Sequence, residues 1–177
     1  QISQIVLYSK DGRIRTIPFR LGAVNIITGG SNRGKSALIS IVDYCLGSSD
    51  CSVPVGVIPT AVSWYGLLLQ FEHQQVFIAR AAPARGFKSS TDVYLEAGAT
   101  VTPPPAASLV QNANPDGVVS FLSSAIGMPS NSTEPKPGDS RRPIQANLRH
   151  ALTLVFQRQD EIASPRLLFH GQSDPYV

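Results

Sequence analysis

The sequence predicts an α/β fold in which an antiparallel β meander flanks a mixed sheet. Two regions carry this prediction. In the first, an apolar run at residues 24–28 leads through a glycine-rich loop into an amphipathic segment at residues 36–46. In the second, three β-type segments follow one another within residues 61–97, and their short connections are typical of antiparallel strands. A chain of 177 residues is long enough to bury the core that such a fold needs.

The N-terminal region, residues 1–47, is predicted to begin with a β hairpin. Residues 2–7 have the composition of a strand, and the Asp-Gly pair at residues 11–12 supplies a hairpin turn. Residues 13–19 then return as the second strand. This hairpin leads into the apolar run that precedes the glycine-rich loop.

The apolar segment at residues 23–28 predicts a strand that is buried at the centre of the sheet. After the loop, five apolar side chains recur at the helical spacing i, i+3, i+4, i+7 and i+8, which predicts one core-facing stripe. Gly47 follows this helix and is well placed as its left-handed C-terminal cap. The stripe consists of Leu38, Ile41, Val42, Cys45 and Leu46.

Residues 29–36 read GGSNRGKS, which is a complete G-x-x-x-x-G-K-[ST] phosphate loop between a predicted strand and a predicted helix. Glycines let backbone N–H groups approach a phosphate closely, and the helix presents its positive end to the same anion. Lys35 would place a positive charge near the β- and γ-phosphates, and the Ser36 hydroxyl would bind Mg²⁺. The predicted nucleotide-binding residues are Gly29, Gly30, Ser31, Asn32, Arg33, Gly34, Lys35, Ser36 and Ala37.

Three further regions follow the helix. Residues 61–97 are predicted to be the antiparallel β region. Residues 103–143 form a proline-rich linker, which contains a short predicted helix at residues 118–126 and a predicted surface loop at residues 129–143. Residues 144–177 complete the chain and contain a final apolar stretch.

One part of a P-loop hydrolase is missing from the sequence. Such an enzyme also needs a carboxylate at the end of a hydrophobic strand, where it holds Mg²⁺ and activates water. The nearest candidate, residues 67–72, has a polar interruption and no aspartate, and Asp92, Asp116 and Asp160 follow polar or turn residues. We therefore expect the rest of the active site to lie in sequence outside this chain.

Composition sets broad limits. The net charge of +3 is carried by scattered basic residues, so it permits a nucleic-acid partner without arguing for one. Cys45 and Cys51 are too few for a disulfide framework, which favours a reducing compartment. No run approaches the ~18 apolar residues of a membrane span, and no signal peptide opens the chain. We expect a soluble, cytoplasmic protein with no membrane partner.

Several segments together resemble the start of an SMC-like, double-strand-break-repair-type ABC ATPase. More narrowly, they are similar to a bacterial SMC-like family of unassigned function that is found in anti-phage and ABC three-component loci. The resemblance implies that residues 1–177 are the N-terminal lobe of an ATPase head. The segments that carry it are residues 5–13, 24–39, 41–47, 62–65 and 157–163.

In the ATPases that this chain resembles, a glutamine after a core strand binds Mg²⁺ and orients the attacking water. This position, the Q-loop, shows an Arg-Gln-Gly-Glu-Ile-like pattern in repair-type members. The sequence RQDEI at residues 158–162 resembles it and implies that Gln159 is a catalytic residue and a metal ligand, together with Lys35 and Ser36. Asp160 replaces the glycine, so Gln157 remains a second choice, and a polar helix end remains the alternative interpretation.

The resemblance also implies the cofactors ATP and Mg²⁺ and several partners. A C-terminal lobe of the same protein would supply the signature motif, the Walker B acid and the switch histidine. Two heads would dimerise around ATP, and hydrolysis would open the dimer. DNA and effector proteins are the implied partners of the assembly, in DNA sensing, repair or anti-phage defence.

Two other functions stay open at this point. A small self-contained P-loop kinase or GTPase is disfavoured by the missing Walker B acid and by the meander after the first helix. A nucleotide-gated scaffold, in which ATP is bound without turnover, is compatible with an intact Lys35 and Ser36. Measurements of turnover on the complete protein would discriminate between a scaffold and an ATPase.

Overall fold

The computed structural model describes residues 1–30, 34–128, 131–133 and 144–155. The chain divides into two compact units, Gln1–Phe121 and Leu122–Val177. The first unit contains a five-stranded sheet and the helix that follows the glycine-rich loop. The second contains a two-stranded sheet and a short helix.

Five strands form an antiparallel sheet in the first unit. Their order across the sheet is second, first, third, fourth and fifth, and every neighbouring pair is antiparallel. The last three strands form an antiparallel meander, as their short connections predict. The strands are β1 (Ile2–Ser9), β2 (Ile14–Pro18), β3 (Val62–Gln70), β4 (Gln75–Ala81) and β5 (Val93–Gly98).

Both faces of this sheet are covered, because its central strands carry apolar side chains on alternate sides. On one face, a buried cluster joins the strands to two residues of the segment that follows β5, Val101 and Leu109. The Tyr8 hydroxyl donates a hydrogen bond of 2.9 Å to the carbonyl oxygen of Pro104 and fastens this segment to the sheet. The strand members of the cluster are Val6, Tyr8, Leu68, Phe77 and Ala79.

The opposite face of the sheet carries α1 (Ala37–Cys45), the helix predicted after the glycine-rich loop. The Tyr44 and Tyr65 rings meet edge to face with their centroids 5.9 Å apart. The Cys45 thiol donates to the carbonyl oxygen of Tyr65 at 3.3 Å, and burial raises the pKa of this thiol. Cys45 is thus a core residue, as the apolar stripe predicts.

The C-terminal end of α1 also agrees with the sequence. Gly47 has a φ of 91°, in the left-handed region that glycine adopts at little cost. Its N–H donates to the Tyr44 carbonyl oxygen at 3.3 Å. A methyl group at Gly47 would collide with the side chain of Val119 and lie 3.3 Å from the carbonyl oxygen of Pro115. Glycine is therefore required here both for its backbone conformation and for space.

The strand predicted at residues 23–28 is wrong in this structure. The segment has no strand pairing, and Val24 and Ile26 are 90% and 82% exposed. A local loop replaces the strand: the Asn25 side chain accepts from the N–H of Arg20 and donates to the Arg20 and Ala23 carbonyl oxygens. The described strands accordingly form an antiparallel sheet, without the parallel pairing that a mixed sheet would have.

Several shorter elements complete the described chain. The predicted helix at residues 118–126 is α3 (Pro115–Ala125), and a further turn of helix, α2 (Val57–Ala61), was not predicted. Part of the predicted surface loop at residues 129–143 is instead paired: β6 (Asn131–Thr133) is antiparallel to β7 (Ile144–Ala146). A single turn of 3-10 helix spans Ala106–Ser108.

Residues 148–155 form a helix, α4 (Leu148–Val155), in place of the core strand that the Q-loop resemblance implies. Asn147 caps this helix, since its side-chain oxygen accepts from the N–H of Arg149 at 2.9 Å. Within the second unit, the Leu148 N–H also donates to the Ser123 hydroxyl at 3.0 Å. None of the helices in the described parts of the chain is long and apolar enough to span a bilayer.

Candidate functional site

Lys35 folds back across the glycine-rich loop. Its Nζ donates hydrogen bonds of 2.7 Å to the carbonyl oxygens of both Gly29 and Gly30. The ammonium group therefore lies between the two ends of the motif, on the side where the loop closes. An ammonium has three N–H donors, so one donor remains for an anion while the other two hold the loop.

Backbone donors are available beside this ammonium. Of the described residues, none accepts a hydrogen bond from the N–H groups of Gly34, Lys35 or Ser36. The helix begins immediately afterwards, with the Ala37 N–H donating to Gly34 O at 3.1 Å and no side-chain cap from Ser36. The exposed Ser36 hydroxyl likewise has no partner in the described chain. Three N–H groups, the Lys35 ammonium and the Ser36 hydroxyl thus belong to the residues that precede the positive end of α1, and such a set of donors is suited to phosphate.

The conformation of the loop depends on glycine. Gly34 has a φ of 84° and Gly29 a φ of 155°, both of which are unusual for other residues. Gly34 also lies against α2: a methyl group placed on it would approach Ile58 Cδ1 to 3.1 Å. The turn after β1 braces the other end of α2, because Lys10 Nζ donates to Thr60 O at 2.8 Å and Lys10 N to Ala61 O at 2.8 Å.

We expect Gly34→Ala to leave the protein folded and to weaken nucleotide binding by about tenfold, equivalent to about 1.4 kcal/mol. Alanine is strained at a φ of 84°, and its methyl group would press on Ile58. The loop would relax by turning its N–H groups away from the phosphate. Titration with a fluorescent ATP analogue measures the loss.

Gly86→Ala is the matched control for this substitution. Gly86 has a φ of 88°, but a methyl group there meets nothing within 4 Å, so the strain is similar and the loop is untouched. The double variant Gly34→Ala/Ile58→Ala removes the contact and should recover part of the affinity. A Gly34→Ala protein that binds nucleotide as tightly as Gly86→Ala would show that the loop is not the phosphate site.

The end of α1 that lies away from the loop is held by a buried arginine that the sequence pattern does not single out. Arg80, in β4, is 2% exposed. Its Nη1 donates to the carbonyl oxygens of Tyr44 at 2.9 Å and Ser48 at 2.6 Å, and its Nε to Ser90 O at 2.9 Å. The guanidinium carbon lies 4.0 Å from the centre of the Tyr44 ring. A cation at the C-terminal end of a helix interacts favourably with the helix dipole.

Five predicted or alternative site residues lie in parts of the chain that the structure does not describe. Ser31, Asn32 and Arg33 lie outside the described residues, as do Gln157 and Gln159. The nearest sequence candidate for a catalytic acid, Glu72, sits in the turn between β3 and β4 with its side chain 87% exposed. No cluster of three or more His, Cys, Asp or Glu that could hold a metal occurs among the described residues. Of the two predicted Mg²⁺ ligands, Ser36 and Gln159, the structure describes Ser36, which is exposed.

Comparisons of the chain with protein-family models, with curated proteins and with solved structures gave no match.

Proposed function

We propose that this chain binds the triphosphate of ATP, with Mg²⁺, at the loop formed by residues 29–36. The observation that carries the proposal is the position of Lys35, whose Nζ lies 2.7 Å from the carbonyl oxygens of Gly29 and Gly30 beside three N–H groups without described partners. The carbonyl oxygens of Gly29 and Gly30 accept hydrogen bonds from two of the three ammonium N–H groups. A bound phosphate would accept from the third donor and from the neighbouring N–H groups.

The N–H groups of Gly34, Lys35 and Ser36 would bind phosphate oxygens, and the positive end of α1 would stabilise their charge. Lys35 would neutralise the β- and γ-phosphates, and the Ser36 hydroxyl would be one oxygen ligand of the metal. Mg²⁺ would supply charge neutralisation at the phosphates.

We further propose that the chain is the N-terminal lobe of an SMC-like ABC ATPase head that hydrolyses ATP once a second lobe completes it. The exposed segment before the loop supports this. Val24, Ile26 and Ile27 are 90%, 82% and 45% exposed, and the backbone of residues 26–28 makes no hydrogen bond to any described residue. An apolar segment of this kind is suited to pair with a strand, and burying each of its large side chains would contribute about 1.5–3 kcal/mol.

This proposal includes the partners that the resemblance implies. They are a C-terminal lobe of the same ATPase, a second head across bound ATP, DNA and effector proteins, in the cytoplasm. A small P-loop kinase is less well supported, because the described strands pair only in antiparallel fashion. The experiment that tests ATP binding is a titration of the chain with a fluorescent ATP analogue in the presence and absence of Mg²⁺.

We expect this chain alone to release no phosphate from ATP beyond the uncatalysed rate. The sequence has the phosphate-loop motif but no aspartate at the end of a hydrophobic strand, and a partner signature motif would have to come from another lobe. Phosphate release by the purified chain is the measurement, with Lys35→Ala as the control. Multiple turnovers that disappear in Lys35→Ala would show that a catalytic acid is present within this chain.

In the complete protein, we expect Gln159→Ala to lower kcat by about tenfold or more while the Kd for ATP stays within about twofold. The phosphate cradle survives this substitution, whereas the Q-loop ligand of Mg²⁺ is lost. Steady-state kinetics and an equilibrium titration measure the two constants. Gln157→Ala serves as the comparison, and a larger loss of kcat there would move the Q-loop assignment to Gln157.

A further inference from the structure

We infer that Arg80 is a positioning residue for the phosphate loop, acting through helix α1; the inference rests on the nucleotide-binding function proposed above. The hydrogen bonds described for Arg80 go to the C-terminal end of α1 and to the segment between β4 and β5. Arg80 thus holds the C-terminal end of α1, whereas the first turn of α1 belongs to the proposed phosphate site.

The hydrogen bonds that Arg80 makes require the planar shape of a guanidinium. One nitrogen, Nη1, bonds two carbonyl oxygens at the C-terminal end of α1, those of Tyr44 and Ser48, at 2.9 and 2.6 Å. A second nitrogen, Nε, reaches Ser90 O at 2.9 Å, in the segment between β4 and β5. Arg80 is 2% exposed, so these bonds are shielded from water. A lysine has a single nitrogen and cannot span the same three oxygens in a fixed plane.

Tyr44 also joins α1 to β4 and to the segment between β4 and β5. Its ring lies under the guanidinium, with 4.0 Å between the ring centre and the guanidinium carbon. Its hydroxyl donates to Ala81 O at 3.0 Å and accepts from the N–H of Ser90 at 2.8 Å. Burial raises the pKa of this hydroxyl to about 12, so it remains a donor at neutral pH. Arg80 and Tyr44 together fix the orientation of α1 against β4.

A small tilt of α1 at its C-terminal end would produce a larger displacement at the phosphate loop. α1 has nine residues, so it is about 13 Å long, and a tilt of about 10° at Tyr44 would move its first turn by about 2 Å. Gly34, Lys35 and Ser36 are continuous with that turn, since the Ala37 and Leu38 N–H groups bond Gly34 O and Lys35 O. Misplacement on this scale is enough to weaken phosphate binding strongly.

The test compares Arg80→Lys and Arg80→Met with Leu68→Ala in the same 177-residue chain. Leu68 is buried in the cluster on the opposite face of the sheet, so its truncation destabilises the sheet without touching α1. Circular dichroism sets a temperature at which every variant is folded, and ATP affinity is measured there. We expect losses of about tenfold for Arg80→Lys and about a hundredfold for Arg80→Met relative to Leu68→Ala. If Arg80→Lys keeps part of the ATP affinity that Arg80→Met loses, the loss reflects the positioning of α1 and not a general loss of core packing.

Amide hydrogen exchange without nucleotide is the second measurement. Exchange at residues 38–41 should be faster in Arg80→Lys than in Leu68→Ala, because the first turn of α1 would be less well held. If the parent chain binds no ATP, the proposed function fails, and the exchange comparison alone decides the inference. If Arg80→Lys matches Leu68→Ala in exchange, or in affinity where the parent binds ATP, the inference is overturned. If neither Arg80 variant folds, Tyr44→Phe is tested by the same two measurements, and its expected loss of ATP affinity is about threefold.

Discussion

Replacing Lys35 by alanine is expected to weaken the binding of Mg²⁺-ATP by at least about tenfold. The Lys35 ammonium would form charge-assisted hydrogen bonds with phosphate oxygens, and bonds of this kind contribute ~1.5–3 kcal/mol each. The same substitution removes the two hydrogen bonds of 2.7 Å that hold Gly29 and Gly30 near the start of α1. Both effects lower the affinity, so the tenfold loss is a minimum. Titration with a fluorescent ATP analogue measures it.

Lys88→Ala is the control for the loss of one positive charge. Lys88 is exposed in the segment between β4 and β5, and its backbone oxygen, which accepts from the Cys51 N–H at 2.8 Å, is retained in the variant. Removing this charge should leave the affinity unchanged within about twofold at moderate salt, where exposed charges are screened. Equal affinities for the parent and a folded Lys35→Ala protein would refute the assignment of the phosphate site.

Replacing Gly47 by alanine is expected to lower the free energy of unfolding by about 2–4 kcal/mol. Gly47 has a φ of 91°, where a side chain is strained, and the new methyl group would overlap the side chain of Val119. The carbonyl oxygen of Pro115, 3.3 Å from the methyl position, blocks the simplest movement away. Chemical denaturation monitored by far-UV circular dichroism gives the change in free energy.

The backbone strain and the overlap can be separated. Gly86→Ala places alanine at a similar φ of 88° with nothing within 4 Å of the methyl group, so it should cost about 1 kcal/mol. Gly47→Ala/Val119→Ala removes the overlap and should be less destabilised than the two single changes add up to. If Gly47→Ala and Gly86→Ala lose the same free energy, the contact with Val119 contributes nothing.

Patterns confined to a few neighbouring residues predicted most of the elements seen in the first unit. The Asp-Gly turn at residues 11–12, the spacing of apolar residues in α1 and the short connections after β3 each encode a local geometry. Their energetics are also mostly local, since turn conformation and the exposure of alternate side chains decide them. The convergence of Lys35 and the loop carbonyls follows from the same kind of signal, because the motif spans only eight residues.

Interactions between distant segments explain what the sequence did not predict. The apolar composition of residues 23–28 indicates that this segment is suited to burial, but it does not identify the segment that would bury it. In the sequence, nothing distinguishes Arg80 from other charged residues near the end of a strand. Its role appears only when β4 lies beside α1 and brings the carbonyl oxygens of Tyr44 and Ser48 within 2.9 and 2.6 Å. Such contacts depend on the packing of the whole unit.

The position of β1 has a consequence for the order in which the chain can fold during synthesis. β1 pairs with its neighbour in sequence, β2, and also with β3, which begins at Val62 and places Trp64 opposite Tyr8. An isolated two-stranded hairpin is marginal in water, so the first two strands lack stable support until at least β3 has left the ribosome. The glycine-rich loop and α1 emerge before that sheet exists. This segment therefore acquires a fixed shape only after the meander that supports it has formed.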